Sequence, residues 1–323
     1  MNVFITGASG FIGGAIATQL AKSNAIYAMA RSEKSAMKIK KLGFFPVRCS
    51  LNNVTIDHLQ NIEIVIHSAA YVEAWGTRAQ FWETNVDGTT QLLEVAKKAG
   101  VKRFVHLSSE AAVFDGSPMV NVDEKHPYPS KTPYLYSETK AESERRVVAA
   151  NTPKVFETVC VRPRMVWGKG DQTILPEVIK MINAGSFRWV KDGEILTSTT
   201  NIDNLVHGVT LAMSKGNGGE IYYITDNEIS TFKYFLTTLL STKNIVPPSK
   251  NISAGMLSFA AKIIEKIWLT FKIKKEPPIT RFAADIIGVD CSINISKAKS
   301  ELGYEPVISV EDGMKKLIKN SKH

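Results

Sequence analysis

The 323-residue sequence is poor in cysteine and contains no low-complexity tract or internal repeat. Its three cysteines, Cys49, Cys160 and Cys291, lie far apart and lack the close spacing of metal ligands, so the sequence predicts neither a metal site nor a disulfide framework. Because no repeat is present, a solenoid is excluded. The first strand-like run begins by residue 2, which leaves no room for a signal peptide, and we therefore expect a cytoplasmic protein.

Positive charge exceeds negative charge in this chain, with 40 Lys and Arg against 31 Asp and Glu and a formal net charge of +9. Such a balance raises nucleic acid as a partner. The lysines are scattered, however, with small clusters only at 34–41 and 272–275, and no basic motif with interleaved aromatic residues accompanies them. We therefore predict no nucleic-acid partner and attribute the charge to a solvated surface that can attract an anionic cofactor or lipid.

The N-terminal segment is an apolar run, Asn2-Val3-Phe4-Ile5-Thr6, that leads directly into glycines at positions 7, 10 and 13. A strand, a glycine turn and a helix in this order are typical of dinucleotide sites. Gly7 permits the tight turn, Gly10 lets the backbone approach a pyrophosphate, and Gly13 allows the helix to pack closely on its strand. The phosphates would then bind at the helix N-terminus.

Strand-like runs alternate with helical stretches through the first half of the chain, which indicates an α/β fold with a Rossmann-type, doubly wound parallel sheet. We predict a dinucleotide-binding domain over 1–166. Beyond it, 167–323 should form mainly a smaller substrate-binding subdomain, with segments that return to the core. The predicted strands are Val3–Thr6, Ala25–Ala30, Phe44–Cys49, Ile64–His67, Phe104–Ser108 and Val155–Val161, and the predicted helices lie near Ile12–Lys22, Glu33–Leu42, Phe81–Ala99 and Tyr136–Ala150.

The residue that follows the second strand is basic, whereas a site that prefers NAD usually has an acidic residue there to bind the ribose 2′-hydroxyl. Arg31 occupies this position and Ser32 follows it. A guanidinium pairs well with a 2′-phosphate through charge-assisted hydrogen bonds. The sequence therefore favours NADP(H), with NAD(H) as the alternative.

The order of several motifs resembles that of the extended short-chain dehydrogenases/reductases, in the superfamily of NAD-dependent epimerases and dehydratases. Within this superfamily the chain is most similar to the 3β-hydroxysteroid dehydrogenase-like branch. The resemblance covers nearly the whole chain and rests on the segments 6–13, 67–70, 85–89, 136–140, 162–171 and 290–306, with 74–76 and 196–204 indicating the branch.

The resemblance implies that Tyr136, Lys140 and Ser109 are catalytic. Tyr136 and Lys140 are four residues apart on a predicted helix and so share one face. An ammonium group beside the phenol would lower its pKa toward neutrality, so that the phenol can exchange a proton with a substrate oxygen as hydride moves to or from nicotinamide. Ser109 would donate a hydrogen bond to the substrate carbonyl, and Ser108 is the alternative for this contact.

We expect the cofactor to contact residues from the glycine turn, the ends of strands two to five, the catalytic helix and the segment after the sixth strand. These residues are Gly7, Ser9, Gly10, Phe11, Ile12, Gly13, Arg31, Ser32, Ser50, Leu51, Ala69, Ala70, Asn85, Ser108, Tyr136, Lys140 and Pro163.

Two positions depart from the family pattern. Ser50 stands where many relatives have an Asp that binds adenine. Glu110 follows the serine pair, and an alignment tied to Val113 puts it where sugar-nucleotide epimerases have their serine; we expect Glu110 to face solvent.

The substrate pocket should be apolar, and Tyr71, Trp75, Phe114, Met165, Trp167, Phe187 and Trp189 are candidate lining residues. The segment 256–275 is amphipathic and basic at its end, so it either covers the pocket, which we favour, or makes peripheral contact with a membrane. The family relationship also implies a homodimer.

These features favour an NADP(H)-dependent oxidoreductase that interconverts a secondary alcohol and a ketone on a sterol-like or long-chain 3-oxo acyl substrate. A nucleotide-sugar epimerase or dehydratase is the enzymatic alternative, and a non-catalytic cofactor-sensing regulator is the alternative from another class.

Overall fold

The computed structural model describes residues 1–273 and 275–320. The strands are β1 (Asn2–Thr6), β2 (Ala25–Met29), β3 (Phe45–Val47), β4 (Ile64–His67), β5 (Arg103–Leu107), β6 (Met119–Val122), β7 (Glu157–Pro163), β8 (Val166–Trp167), β9 (Trp189–Val190), β10 (Leu196–Ser198), β11 (Thr200–Asn201), β12 (Glu220–Ile224), β13 (Ile229–Thr231), β14 (Asn251–Ile252) and β15 (Cys291–Ile293). The α-helices are α1 (Phe11–Leu20), α2 (Glu33–Lys41), α3 (Arg78–Trp82), α4 (Gly88–Lys98), α5 (Leu135–Ala149), α6 (Leu175–Asn183), α7 (Ile202–Lys215), α8 (Phe232–Ser241), α9 (Ala254–Thr270), α10 (Arg281–Ile286) and α11 (Val310–Asn320).

The central sheet has seven strands in the order β12-β7-β5-β4-β1-β2-β3, and every neighbouring pair is parallel. The predicted α/β class and Rossmann-type sheet are therefore confirmed. Because β1 pairs with β2 on one side and with β4 on the other, the strand order reverses at β1. Ligands of open parallel sheets bind in the crevice at the carboxyl ends of strands at such a reversal.

Six of these seven strands agree with the sequence-based prediction to within a few residues, and the seventh, β12, was not predicted. Glu220–Ile224 comes from the second half of the chain and pairs with β7, with Tyr222 opposite Val161. Strand β12 is an edge strand of the sheet, and its Tyr222, Tyr223 and Ile224 are buried.

Apolar side chains cover both faces of the sheet. One cluster combines β1, α1 and α7, and a second packs α4 and the far side of the same strands. The fully buried alternating residues of β1 illustrate this division, because Val3 and Ile5 belong to the first cluster and Phe4 to the second.

The later segments assemble next to the carboxyl end of β7. β8 begins three residues after β7 ends and pairs with β11, and a four-stranded sheet of order β13-β10-β15-β6 forms beside it. A third apolar cluster lies here and contains Trp167, Phe187, Trp189 and α8. Within residues 1–273 and 275–320, none of the helices has both the length and the apolar character needed to cross a bilayer.

Helix α5 is fixed on the sheet by an ion pair that is hidden from solvent. Glu144 on α5 accepts hydrogen bonds from Arg162 on β7, with Nη2 to Oε1 at 2.5 Å and Nε to Oε2 at 3.0 Å. The Tyr128 hydroxyl donates to the same carboxylate at 2.8 Å, and the Tyr223 hydroxyl accepts from Arg162 at 3.2 Å. Both charged side chains are at most 1% exposed, so each is an obligatory partner of the other.

We predict that Glu144→Gln lowers the free energy of unfolding by about 3 kcal/mol or more, because it leaves the Arg162 guanidinium buried without a countercharge. Urea denaturation measures the change. Glu142→Gln is the matched control: Glu142 lies on the same helix and pairs with Arg145 and Arg146 where all three side chains are partly exposed, so its loss should cost no more than about 1 kcal/mol. Equal effects of the two variants would contradict the prediction.

Candidate active site

The glycine turn between β1 and α1 has the close backbone packing that a dinucleotide requires. Gly7 has a φ of +75°, which favours glycine, and a Cβ on Gly13 would overlap the Gly7 carbonyl group. Helix α1 begins at Phe11 with Gly10 as its N-cap, and no side chain caps it. The first N–H groups of α1 are therefore available to a phosphate.

The ends of β1 and β4 are linked by hydrogen bonds beside this turn. The Thr6 hydroxyl accepts from the backbone N–H groups of Ser68 and Ala69, at 3.1 and 3.0 Å, and is bonded to His67 Nδ1 at 2.8 Å. These bonds position the predicted contact residues Ala69 and Ala70 at the reversal of strand order. The glycine turn and this loop together form a cradle that fits a dinucleotide.

Arg31 lies exposed just after β2, where the structure leaves its guanidinium accessible. Ser32 caps α2 by accepting from the Ser35 N–H at 3.2 Å. From the same helix, Lys38 Nζ donates to the Ser9 carbonyl at 2.6 Å. A second cation, which sequence analysis did not single out, thus lies over the glycine turn.

Two predicted cofactor contacts have hydrogen-bonding groups that are engaged within the protein. The Ser50 hydroxyl and N–H both donate to Asn53 Oδ1, at 3.0 and 2.6 Å. The buried Asn85 amide accepts from the Tyr71 N–H at 2.6 Å and donates to Thr139 on α5 at 3.1 Å. Asn85 therefore ties the loop after β4 to the helix that carries Tyr136. Leu51 and Pro163 are buried.

Tyr136 and Lys140 lie one turn apart on α5, and Lys140 is anchored to the sheet. Lys140 Nζ donates to the Leu107 carbonyl at the end of β5, at 2.7 Å. Burial lowers the pKa of Lys140 to about 8, and the nearby carboxylate of Glu144 limits the decrease. Lys140 is thus mostly charged at pH 7, although it is only 3% exposed.

The pKa of Tyr136 is raised rather than lowered, contrary to the expectation from sequence. Burial is the main cause and the carboxylate of Glu110 adds to it, while a hydrogen bond with Ser109 opposes the rise. The Lys140 ammonium donates to the Leu107 carbonyl, and no hydrogen bond joins it to the Tyr136 hydroxyl among the described residues. In this structure the phenol therefore keeps its proton near neutral pH.

Glu110 is buried beside Ser109, so the expectation that it faces solvent was wrong. Its Oε2 accepts from the Ser109 hydroxyl at 2.6 Å, and its Oε1 accepts from Arg164 Nη1 at 3.0 Å. Arg164 also donates from Nε to the Thr197 hydroxyl at 3.3 Å. Sequence analysis missed this pair because Arg164 is 54 residues away in the chain; the arginine directly after β7 was the available signal.

Ser108 is the other candidate for the carbonyl contact. Its N–H donates to the Val161 carbonyl at 2.8 Å, and its hydroxyl is buried without a hydrogen-bond partner among the described residues. A buried hydroxyl without a partner is costly, so it is available to a bound group. Ser109 differs, because it contacts both Tyr136 and Glu110.

A small, mainly apolar cavity lies next to Arg164. Among the seven aromatic and apolar candidates for the pocket lining, Met165 lines this cavity, with a φ of +41°. Trp167, Phe187 and Trp189 instead pack in the third apolar cluster, and Phe114 is fully buried against Tyr134. The other lining residues are Ile195, Leu196, Thr197, Phe232, Ile286, Ile287 and Val289.

Solved structures with similar folds cover the entire chain. A UDP-glucuronic acid 4-epimerase from Bacillus cereus, solved with NAD, superposes with a TM-score of 0.76 and 21% identity, covering 100% of both chains. At this identity the likeness establishes the fold alone.

Sequence relatives give closer matches. A 4-hydroxy-2-methyl-3-oxo-4-farnesyl-3,4-dihydroquinoline-1-oxide ketoreductase of Stigmatella aurantiaca is 37% identical over 320 residues, covering 98% of this chain and 96% of the relative. A 2-alkyl-3-oxoalkanoate reductase of Stenotrophomonas maltophilia (strain K279a) is 28% identical over 326 residues, covering 98% of both chains.

Residues 4–252 match the profile of the 3-beta hydroxysteroid dehydrogenase/isomerase family. This match agrees with the fold, with the motifs around Tyr136 and Lys140 and with relatives that are named reductases and dehydrogenases. The chain is therefore an oxidoreductase of the extended short-chain dehydrogenase/reductase type, and it belongs to the 3-beta hydroxysteroid dehydrogenase/isomerase family.

Proposed function

We propose that the protein is an NADP(H)-dependent reductase that converts an apolar ketone, sterol-like or long-chain 3-oxo acyl, into a secondary alcohol. The observation that carries the proposal is the arrangement of Tyr136, Lys140 and Ser109 at the carboxyl edge of the sheet, close to an apolar cavity. NADP(H), when bound in the glycine cradle, supplies or accepts the hydride. The protein supplies the proton and holds the substrate oxygen.

Tyr136 is the proposed proton donor. Because its phenol keeps a proton near neutral pH, it suits protonation of a carbonyl oxygen that receives hydride at its carbon. Lys140 remains mostly charged and lies one turn away, so its ammonium favours the phenolate left after proton transfer. This combination supports ketone reduction as the working direction.

Ser109 is the proposed donor to the substrate carbonyl, since it already contacts Tyr136. Its hydroxyl donates to Glu110 in this structure, and it would rotate toward a ketone that enters beside Tyr136. Glu110 and Arg164 act as positioning residues for this serine. Because their charges compensate each other, this pair adds no net charge to the site.

The names of the relatives support an apolar ketone as substrate. One relative is a ketoreductase named for a farnesylated dihydroquinoline oxide, and another is named for 2-alkyl-3-oxoalkanoates. The cavity beside Arg164 is lined mainly by aliphatic side chains and Phe232. We infer that burial of apolar surface provides most of the substrate affinity.

Substrate class is tested with a homologous series of 3-oxo acyl ketones and NADPH. Each added methylene that becomes buried contributes up to about 0.8 kcal/mol, so kcat/KM should rise with chain length until the pocket is full. Absorbance of the reduced nicotinamide measures turnover. A flat series together with turnover of UDP- or dTDP-sugars would favour the epimerase alternative, and binding without any turnover would favour the regulator.

Tyr136→Phe should reduce turnover by about 10² or more with little effect on cofactor affinity, because it removes only the proposed proton donor. Tyr134→Phe is the matched control, two residues away. Its hydroxyl donates to Asp285 at 2.7 Å and has no catalytic role in the proposal. Steady-state kinetics and NADPH titration distinguish the two effects. Normal turnover in Tyr136→Phe would refute the assigned role.

Arg31→Asp should narrow or reverse a preference for NADPH over NADH, because it replaces the proposed phosphate partner with a repelling charge. The ratio of the two dissociation constants is the measurement. Lys98→Asp makes a similar charge change at the C-terminal end of α4, far along the chain from the glycine turn, and should leave the ratio unchanged. A wild-type preference for NADH would overturn the NADP(H) assignment.

A further inference from the structure

Helix α9 presents a row of large apolar side chains to solvent. Met256 and Phe259 are each 65% exposed, Ile263 is 45% exposed and Ile267 is 41% exposed. These positions follow one another at intervals of three or four residues, so they lie on one side of the helix. Phe271, at the end of the helix, is 73% exposed and continues the row. We call these five residues the α9 stripe.

The opposite side of α9 packs on the protein, mainly against α10. Ala261 is the buried residue of this helix, and the Glu265 carboxylate turns inward to accept from the Arg281 N–H at 2.6 Å. An amphipathic helix of a globular protein normally buries its apolar face. A role in covering the pocket alone therefore does not explain why the apolar face of this helix is exposed to solvent.

Lysines lie alongside the α9 stripe. Lys262, Lys266, Lys272 and Lys275 are exposed, and none of them lies within ion-pair distance of a carboxylate among the described residues. Lys274 belongs to the same basic cluster in sequence but lies outside the described residues. Glu276, which follows this basic cluster, is an exposed acidic side chain. Apolar side chains flanked by lysines match the boundary between lipid headgroups and acyl chains of an anionic bilayer.

A second copy of the chain fits this surface less well. In a symmetric dimer the same lysine-flanked patch would face itself, so lysines of one copy would lie near lysines of the other. The chain as a whole carries a formal net charge of +9, which adds to the repulsion. An anionic lipid surface instead attracts both the local lysines and the whole molecule.

The α9 stripe is also connected to the proposed catalytic centre. Phe282 on α10 packs edge-on against Tyr136, with 5.4 Å between ring centroids, and Ile286 on α10 lines the cavity beside Arg164. Helix α10 thus lies between the stripe and the reacting groups. A bilayer that holds α9 would bring its acyl region close to the apolar cavity.

We propose that the protein docks on anionic lipid bilayers through the α9 stripe and its flanking lysines, and takes up its apolar substrate from the membrane through the α9–α10 unit. The docking itself does not depend on the proposed function, whereas the uptake of substrate rests on it. The segment lies in the interface and does not cross the bilayer.

Vesicle flotation of the full chain tests the docking. The vesicles contain either phosphatidylcholine alone or equal parts of phosphatidylcholine and phosphatidylglycerol. We expect binding to the anionic vesicles, weaker binding at 0.5 M salt, and little binding to the neutral ones. The double variant F259S/I263S should reduce the partition coefficient at least about tenfold, because two side chains no longer enter the bilayer. K262E/K266E should also reduce it.

Two control variants and one activity measurement separate the possible outcomes. V120S/V155S removes exposed apolar side chains elsewhere, K98E/K125E reverses exposed lysines elsewhere, and both should float like the wild type.

Turnover of a short, water-soluble ketone should be unchanged in F259S/I263S, whereas KM for a vesicle-borne long-chain ketone should rise. Any of three results would overturn the docking proposal. The wild type does not float with anionic vesicles, it binds neutral vesicles equally well, or F259S/I263S changes only the oligomeric state. Flotation without ketone turnover would instead count against the proposed function.

Discussion

The attachment of α5 to the sheet is the constraint on which the site depends, because this helix carries both Tyr136 and Lys140. A buried carboxylate and guanidinium, Glu144 and Arg162, form the attachment, and the bond from Lys140 to the Leu107 carbonyl adds a second point one turn earlier. Buried charges cost more to desolvate than neutral groups, so both bonds require accurate placement of the helix. The geometry of Tyr136 relative to β5 is thereby limited to a narrow range.

A second buried ion pair, Glu110 and Arg164, lies beside Ser109 and the apolar cavity. Here too, paired buried charges fix the position of the groups around them. Together with Glu144 and Arg162 they place four ionised side chains around a site whose cavity is mainly apolar. Each charge is compensated within a short distance, so these two pairs add no net charge to the site. Glu110 also raises the pKa of Tyr136. The carboxylate that positions Ser109 therefore also makes the proposed proton donor hold its proton more tightly.

Local sequence signals were sufficient for the features that depend on neighbouring residues. The run from Val3 to Gly13 specified a strand, a turn and a helix, and the four-residue spacing of Tyr136 and Lys140 specified a shared helical face. Features that join distant parts of the chain were not accessible in this way. Strand β12 pairs with β7 from about sixty residues away, and the buried Glu110 has its countercharge in Arg164, directly after β7. The pKa of Tyr136 likewise depends on burial that no local pattern records.

Polar chemistry and an apolar substrate impose opposite requirements, and the fold separates them in space. Charged groups are held at the carboxyl edge of the sheet by α5 and β7, where the backbone and their partners fix them. Apolar surface is concentrated on the α10 side, in contact with Tyr136 through Phe282 and with solvent through α9. Because apolar ketones of increasing length are held mainly by membranes rather than by water, a reductase that selects them benefits from exposing apolar surface beside its cavity. Under the proposed function and the proposed docking, the exposed α9 stripe would serve the uptake of such a substrate.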